Sequence, residues 1–449
     1  MRVLSMGLIS ALAALTISGP LASGQARADV GATGSVVATA TALPSCQVPA
    51  PQVTGPMPSL LDTELPDGTL VLGGSDVRAG KLVTVLHAVL PNCQPDDSFG
   101  VHGTGTVSLA VHSTLAVINV IEATTDGKVL LAGGIGPDLV VGRLLADGRL
   151  DAGFAQAGWA RLQSPARPPT GMFSGYAITS LAFGPSGMIY LGGNDGTAHC
   201  CVEDFVGALS PSGTVDRSFG NGGWAVLPTL DGSYDTEIFP GTSGVLVMGF
   251  VMYTGCGGPV LARLDGHGHP DKTFDATVRA SLASATARYV LIGPALYPRP
   301  GGAFALVGDL IPSGCQSQPS KLVGKGLALG FRSNGKIDPS FGTAGRTAFT
   351  YYGSSGTWAV PLPDGPTVVV TDEVPEGDYG APSTLKVREL SRAGRFKAAP
   401  CSSGTCAISV SWASGAHSYP AIDAVAAPDG SAVIVVAAKG RADVYRVSP

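Results

Sequence analysis

VDRSFGNGGWAVL (215–227) has relatives at four other places in the chain. These are PDDSFGVHGTGTVSL from Pro95, LDAGFAQAGWARL from Leu150, IDPSFGTAGRTAF from Ile337 and a worn copy, PDKTFDATVRASL, from Pro270. Each has an Asp, two variable residues, a Phe, usually a Gly, and then a short alternating run. The period of such copies decides the fold, because a fixed repeat of 20–50 residues or slightly more marks a solenoid or a propeller.

A second signal sets that period. Pro/Thr–Asp/Ser/Gly–Gly turns stand at Gly68, Gly127, Gly187, Gly244, Gly302, Gly365 and Gly430, in steps of 59, 60, 57, 58, 63 and 65 residues. Apolar runs such as Val129–Leu131 and Val433–Val436 follow them. Asp-Gly between two apolar runs predicts a hairpin, because Gly adopts the positive φ of a tight turn. A third strand comes next, then a second Gly turn (Asp147-Gly148, Ser212-Gly213, Asn334-Gly335, Ala393-Gly394), the Asp-x-x-Phe stretch and a fourth strand. Four antiparallel strands in about sixty residues make one blade of a β-propeller. Helical periodicity is absent, so no helix is expected.

These residues resemble the bacterial delta-60 repeat family. DGKVLLAGG…RLLADGRLDAGFAQAGWARL (126–162) carries its Asp-Gly-Lys turn, Gly-Gly strand end, Arg-Leu strand, second Asp-Gly turn and Asp-x-Ser-Phe-Gly pattern, and 186–227 and 334–349 follow it. The resemblance covers nearly all the mature chain. It implies a propeller in a secreted or surface protein and brings no catalytic residues. The sixth copy departs, with Lys397 and Pro400 where Asp and Phe belong, and the seventh holds only three strands. The expectation is an all-β, seven-bladed β-propeller of four-stranded antiparallel blades, the last closed by an N-terminal strand at 34–42 (GSVVATATA).

Residues 1–28 read as an export signal: Arg2, an apolar stretch from Leu4 to Leu15, and Ala26-Arg27-Ala28 before Asp29. The mature domain, 29–449, is then secreted, with no transmembrane segment. Without Arg2 and Arg27 its 28 − 2 = 26 basic residues face 33 acidic ones, which argues against nucleic acid as a partner. A monomer is expected. Eight cysteines in an exported chain predict disulfides. Cys46 with Cys93 and Cys401 with Cys406 are plausible pairs. Cys200, Cys201, Cys256 and Cys315 fall in equivalent connections of three consecutive units, where bridges between blades are plausible.

Candidate chemistry is sparse. The repeated Asp96, Asp151, Asp216, Asp271 and Asp338 offer one carboxylate per turn, too few for calcium loops, so each is read as fixing its turn, with the Phe packed between blades. HCCVED (199–204) offers mixed ligands, yet adjacent cysteines rarely share one zinc, and disulfides are preferred. His267 and His269 flank a turn glycine. No nucleophile elbow, phosphate loop or His-Glu-x-x-His helix occurs, and no cofactor or metal is expected. Asp372, Glu373, Glu376 and Asp378 are carboxylates for a hydrolase or lyase by position only.

Loop length points elsewhere. Turns between first and second and between third and fourth strands stay short. Connections between blades and between second and third strands vary, and both emerge on one face. They carry Phe173, Tyr176, Tyr234, Tyr253, Tyr351, Tyr352 and Tyr379, aromatics suited to recognition. The expected function is a non-enzymatic binding scaffold for a protein or a cell-envelope carbohydrate through that face, with Tyr176, Tyr234, Tyr351, Tyr352 and Tyr379 as contacts. The alternative is an exported hydrolase or lyase with acidic residues at the central channel.

Overall fold

The computed structural model describes residues 46–49, 61–78, 81–100, 105–109, 116–135, 138–163, 177–194, 204–227, 233–242, 244–251, 258–286, 289–312, 323–352, 354–362, 365–373, 383–397, 406–410, 421–438 and 441–447. Their strands form seven antiparallel sheets arranged as the blades of a β-propeller. In blades 1, 2, 3 and 5 the four strands run in chain order from an inner to an outer strand. Blade 1 holds Leu61–Glu64, Leu70–Arg78, Lys81–Val89 and Thr106–Leu109, and blade 2 holds Ala116–Ala123, Val129–Ile135, Asp138–Leu144 and Trp159–Gln163. Blade 3 is Ala177–Phe183, Ile189–Asn194, Asp204–Leu209 and Trp224–Leu227; blade 5 is Tyr289–Pro298, Phe304–Pro312, Val323–Phe331 and Arg346–Tyr352.

The other three blades differ at their outer position. In blade 7, Ala421–Ala426, Ala432–Ala438 and Arg441–Val447 are completed by Cys46–Pro49, with Cys46 opposite Val444 and Pro49 opposite Arg441. Ring closure by an N-terminal strand therefore holds, but the strand lies later than 34–42, which falls outside the described residues. Val48 explains the choice: it is buried among Leu70, Leu72 and Val89 of blade 1 and Val444 of blade 7. In blade 6, Ser354–Pro361, Thr367–Glu373 and Ser383–Leu390 are flanked by two outer pieces, Phe396–Lys397 and Cys406–Val410, both paired with the third strand. This is the copy lacking Asp-x-x-Phe, so nothing drives one continuous outer strand.

Blade 4 corrects the expectation of no helix. Ser233–Gly241, Gly244–Val251 and Gly258–Leu264 are followed by α1, Lys272–Thr286. The worn copy keeps Asp271 and Phe274 but replaces the following Gly with Asp275. In the other copies this residue takes a positive φ (Gly100 92°, Ala155 44°, Gly220 55°, Gly342 56°), which turns the chain into the outer strand. Here the Asp271 carboxylate instead accepts the Phe274 N–H at 3.0 Å, as a helix N-cap does, and a run rich in Ala, Ser and Thr continues as helix. Asp275 also replaces a lost sheet contact. It accepts the Arg263 N–H at 3.0 Å, where the carbonyls of Gly105, Gly158, Gly223 and Gly345 serve the other blades.

The apolar core is a set of layers between blades rather than a single centre. On the short-turn face, each Asp-x-x-Phe unit joins its blade to the next. Asp96, Asp216 and Asp338 accept the N–H of Ser98, Ser218 and Ser340 at 3.0–3.1 Å, and Asp151 accepts that of Gly153 at 3.0 Å, fixing the turn. The residue after Phe then donates to the next blade's second turn: Gly100 to Asp147, Ala155 to Ser212, Gly220 to His267 and Gly342 to Ala393, at 2.6–2.8 Å. Phe99, Phe154, Phe219, Phe274 and Phe341 are at most 2% exposed and lie against the turn glycines Gly148, Gly213, Gly268, Gly335 and Gly394 of the following blade. At Gly213 (φ 85°) a Cβ would stand 2.6 Å from the Phe154 ring, so both the turn and the wedge require glycine.

Candidate functional site: the two faces of the ring

Polar groups on the short-turn face are committed to structure. Arg143 and Arg263 lie over Phe154 and Phe274 at 4.6 and 4.4 Å, pair with Asp151 and Asp271, and donate onward to the Pro211 and Ser333 carbonyls of the next blade. Blade 5 has Gly330 at this third-strand position, and Arg299 from its first turn takes over, 4.9 Å from the Phe341 ring and 3.0 Å from Asp338. His267 and His269 belong to a turn as expected. Their N–H groups donate to Asp265 at 2.8 and 2.9 Å, and the His269 ring lies 3.3 Å from the same carboxylate.

Bonds of this kind hold the Asp271, Asp338 and Asp429 carboxyls below their ordinary range. The Arg263 side chain, then the Phe274 N–H, hold Asp271 below its usual 3.8, and the Ser431 hydroxyl does most to lower Asp429. At Asp338 burial acts upward but is outweighed by Ser340 and Arg299. A folded pKa below the unfolded value gives stability that is present above pH 3.8 and lost as pH falls through the folded value. The urea midpoint should therefore decline below pH 3.8, and Asp271→Asn with Asp338→Asn should flatten that decline. An unchanged slope in the double variant would contradict these assignments.

The opposite face carries the variable connections. Tyr176, Tyr253, Tyr379, Phe173, Glu376, Asp378, His199 to Glu203, Cys256, Cys315 and Cys401 lie outside the described residues. Tyr351 and Tyr352, expected in a loop over 350–357, are the last residues of blade 5's outer strand, opposite Gly324 and Val323. Tyr234 is the second residue of blade 4's inner strand rather than part of a loop. β-branched and aromatic runs such as RTAFTYY suit a strand, and only residue 353 separates it from blade 6. All three tyrosines still stand at strand ends on the variable face.

Sequence reading missed most of a series of buried carboxylates on the blade strands, of which Asp62, Asp204 and Asp372 lie beside the same strand ends. Asp62, Asp204, Glu237, Asp309, Asp372 and Asp423, from blades 1, 3, 4, 5, 6 and 7, are at most 7% exposed. Asp204 accepts a hydrogen bond from Thr236 of the next blade's inner strand, and Thr357 donates to Asp309 at 3.2 Å across the following but one junction. Thr179 and Thr236 are also joined, hydroxyl to carbonyl, at 2.8 Å. Asp309 and Asp423 sit in otherwise apolar runs (VGDLI, AIDAV), which is a signal that identifies these two, since an ionisable group in a buried strand needs partners. Of the series, the sequence points to Asp372 as a carboxylate by position and to Asp204 within HCCVED. Among the described residues, no three His, Cys, Asp or Glu side chains converge as a metal site, and no helix is long and apolar enough to cross a membrane.

No protein-family model matches the chain, and no curated protein sequence does. Among solved structures it is similar to a chain of a mitotic checkpoint complex, with 9% identity over 96% of this chain and 100% of that one and a TM-score of 0.46. It is also similar to the Penicillium chrysogenum alpha-L-arabinanase (13% identity, 91% and 97% covered, TM-score 0.41) and to a polysaccharide lyase (10%, 84% and 88%, 0.41). At these values none of the three bears on what this chain does.

Proposed function

We propose that the protein is a secreted, monomeric, non-enzymatic binding scaffold of the delta-60 repeat type, engaging a protein or a cell-envelope glycan through its variable face. The carrying observation is the asymmetry of the ring. The short-turn face commits Asp, Arg and Phe side chains to joining blade to blade, while the connections that vary in length leave from the opposite strand ends, where Tyr234, Tyr351 and Tyr352 stand. Variable insertions on one face of a repeat scaffold commonly form its recognition surface. Tyrosine contributes a rigid apolar body with a polar tip, which suits both partner classes.

Pull-down from envelope fractions, with a glycan array, tests this on the mature protein and on a variant carrying Tyr176→Ala, Tyr351→Ala and Tyr352→Ala. Truncating central aromatic contacts should weaken binding by roughly tenfold or more. Binding unchanged in the variant would remove these tyrosines from the interface. A second reading, an exported hydrolase or lyase, draws on the buried carboxylates Asp62, Asp204 and Asp372 at the same strand ends. Turnover of a polysaccharide that is lost in Asp372→Asn would favour it.

A further inference from the structure

Ring closure depends on a four-residue strand, Cys46–Pro49, that joins the two ends of the chain. Its neighbours fix its orientation. Pro49 pairs with Arg441, where blade 7's third strand leaves the variable face, and Cys46 pairs with Val444, nearer the short-turn face. Val48 is buried among Leu70, Leu72 and Val89 of blade 1. Residue 46 stands two positions earlier and so shares that face of the strand, one step closer to the short turns. Blade 1's third strand ends there at Val89 and leads into the turn Leu90–Gln94. That turn is rigid: Leu90 and Gln94 bond N–H to carbonyl at 2.8 Å, the Asn92 carboxamide accepts the Gln94 N–H at 3.0 Å, and Cys93 is held at φ 70°.

Cys93 is disulfide-bonded; we propose that its partner is Cys46, and that this bond is a redox-controlled clasp on the ring. Among the described residues the one other cysteine is remote from this turn. Cys406 begins an outer segment of blade 6, and Cys200, Cys201, Cys256, Cys315 and Cys401 lie outside the described residues. The bond forms by thiol–disulfide exchange: two thiols give up two electrons and two protons, and the disulfide of an oxidised dithiol carrier is reduced to two thiols. Oxidation then fixes the closing strand to blade 1. Under reducing conditions the strand keeps its four-residue pairing and the packing of Val48 without the covalent tie, so oxidation strengthens closure of the ring.

Peptide mapping of the oxidised wild-type protein, alkylated without reduction, should recover a cross-linked pair containing Cys46 and Cys93. Recovery of Cys93 as a free thiol, or linked to any other cysteine, would overturn the proposal. Amide exchange supplies the second readout. Reduction of the folded protein, or Cys93→Ser, should speed exchange at Arg441–Val444 by roughly ten- to hundredfold while blades 2 to 5 keep their protection. Unchanged protection at Arg441–Val444 would show that the bond does not act as a clasp.

Discussion

Phe341→Ala should lower the stability of the ring by about 3–5 kcal/mol, the range for truncating a fully buried aromatic side chain. Phe341 is completely buried between blades 5 and 6. Its ring fills the space that a Cβ on Gly330 or Gly394 would occupy, with contacts of 2.3 and 2.5 Å, and Arg299 covers it at 4.9 Å. Deletion leaves a cavity bounded by two backbones that cannot readily close over it, because the Gly342 N–H donates to the Ala393 carbonyl at 2.6 Å and fixes the two turns relative to each other. Urea denaturation monitored by circular dichroism measures the effect. A loss below about 1 kcal/mol would mean that the wedge is incidental to blade packing.

Arg446→Leu should be of similar size, about 3–5 kcal/mol at pH 7, because it strands a buried carboxylate. Arg446 on blade 7 reaches Glu64 of blade 1 at 2.9 Å and Asp429 at 3.1 Å, and the Glu64 side chain is 1% exposed. Burial pushes the Glu64 carboxyl above its ordinary 4.5, with Arg446 pulling it back and Asp429 and Asp67 adding to the rise. A raised folded pKa favours the protonated fold. Its stabilisation is complete below pH 4.5 and lost as pH rises through the folded value. The Arg446→Leu penalty should therefore shrink as pH falls toward 4.5, and Glu64→Gln with Arg446→Leu should recover much of it at pH 7. Equal stabilities for the single and double variants at pH 7 would contradict this account of ring closure.

How far the sequence revealed these features follows from what repeats. The turns were legible because each needs a residue tolerant of positive φ and a side-chain oxygen to hold it, so Gly and Asp recur at a fixed spacing. The Phe wedge was legible for the same reason. Helix α1 escaped because its copy keeps Asp271 and Phe274; the informative change was one residue, Asp275 in place of Gly, which removes the left-handed turn. Most of the buried carboxylates escaped because they occupy inner, second and third strands in different blades and share no spacing. The closing strand was displaced from 34–42 to Cys46–Pro49 because alternation alone fits both, whereas the pocket for Val48 beside Val89 exists only in three dimensions.

The division of labour between the faces is the central claim, and exchanging surface features tests it directly. One variant replaces residues 164–176 and 374–382 with short Gly-Ser linkers; a second carries Arg149→Glu and Arg217→Glu, exposed in the short turns of blades 2 and 3, while keeping every loop. Binding of the mature protein to its envelope fraction should fall by roughly tenfold or more in the first and stay within about twofold in the second. The reverse pattern, with binding kept after loop replacement and lost after the arginine changes, would contradict the claim.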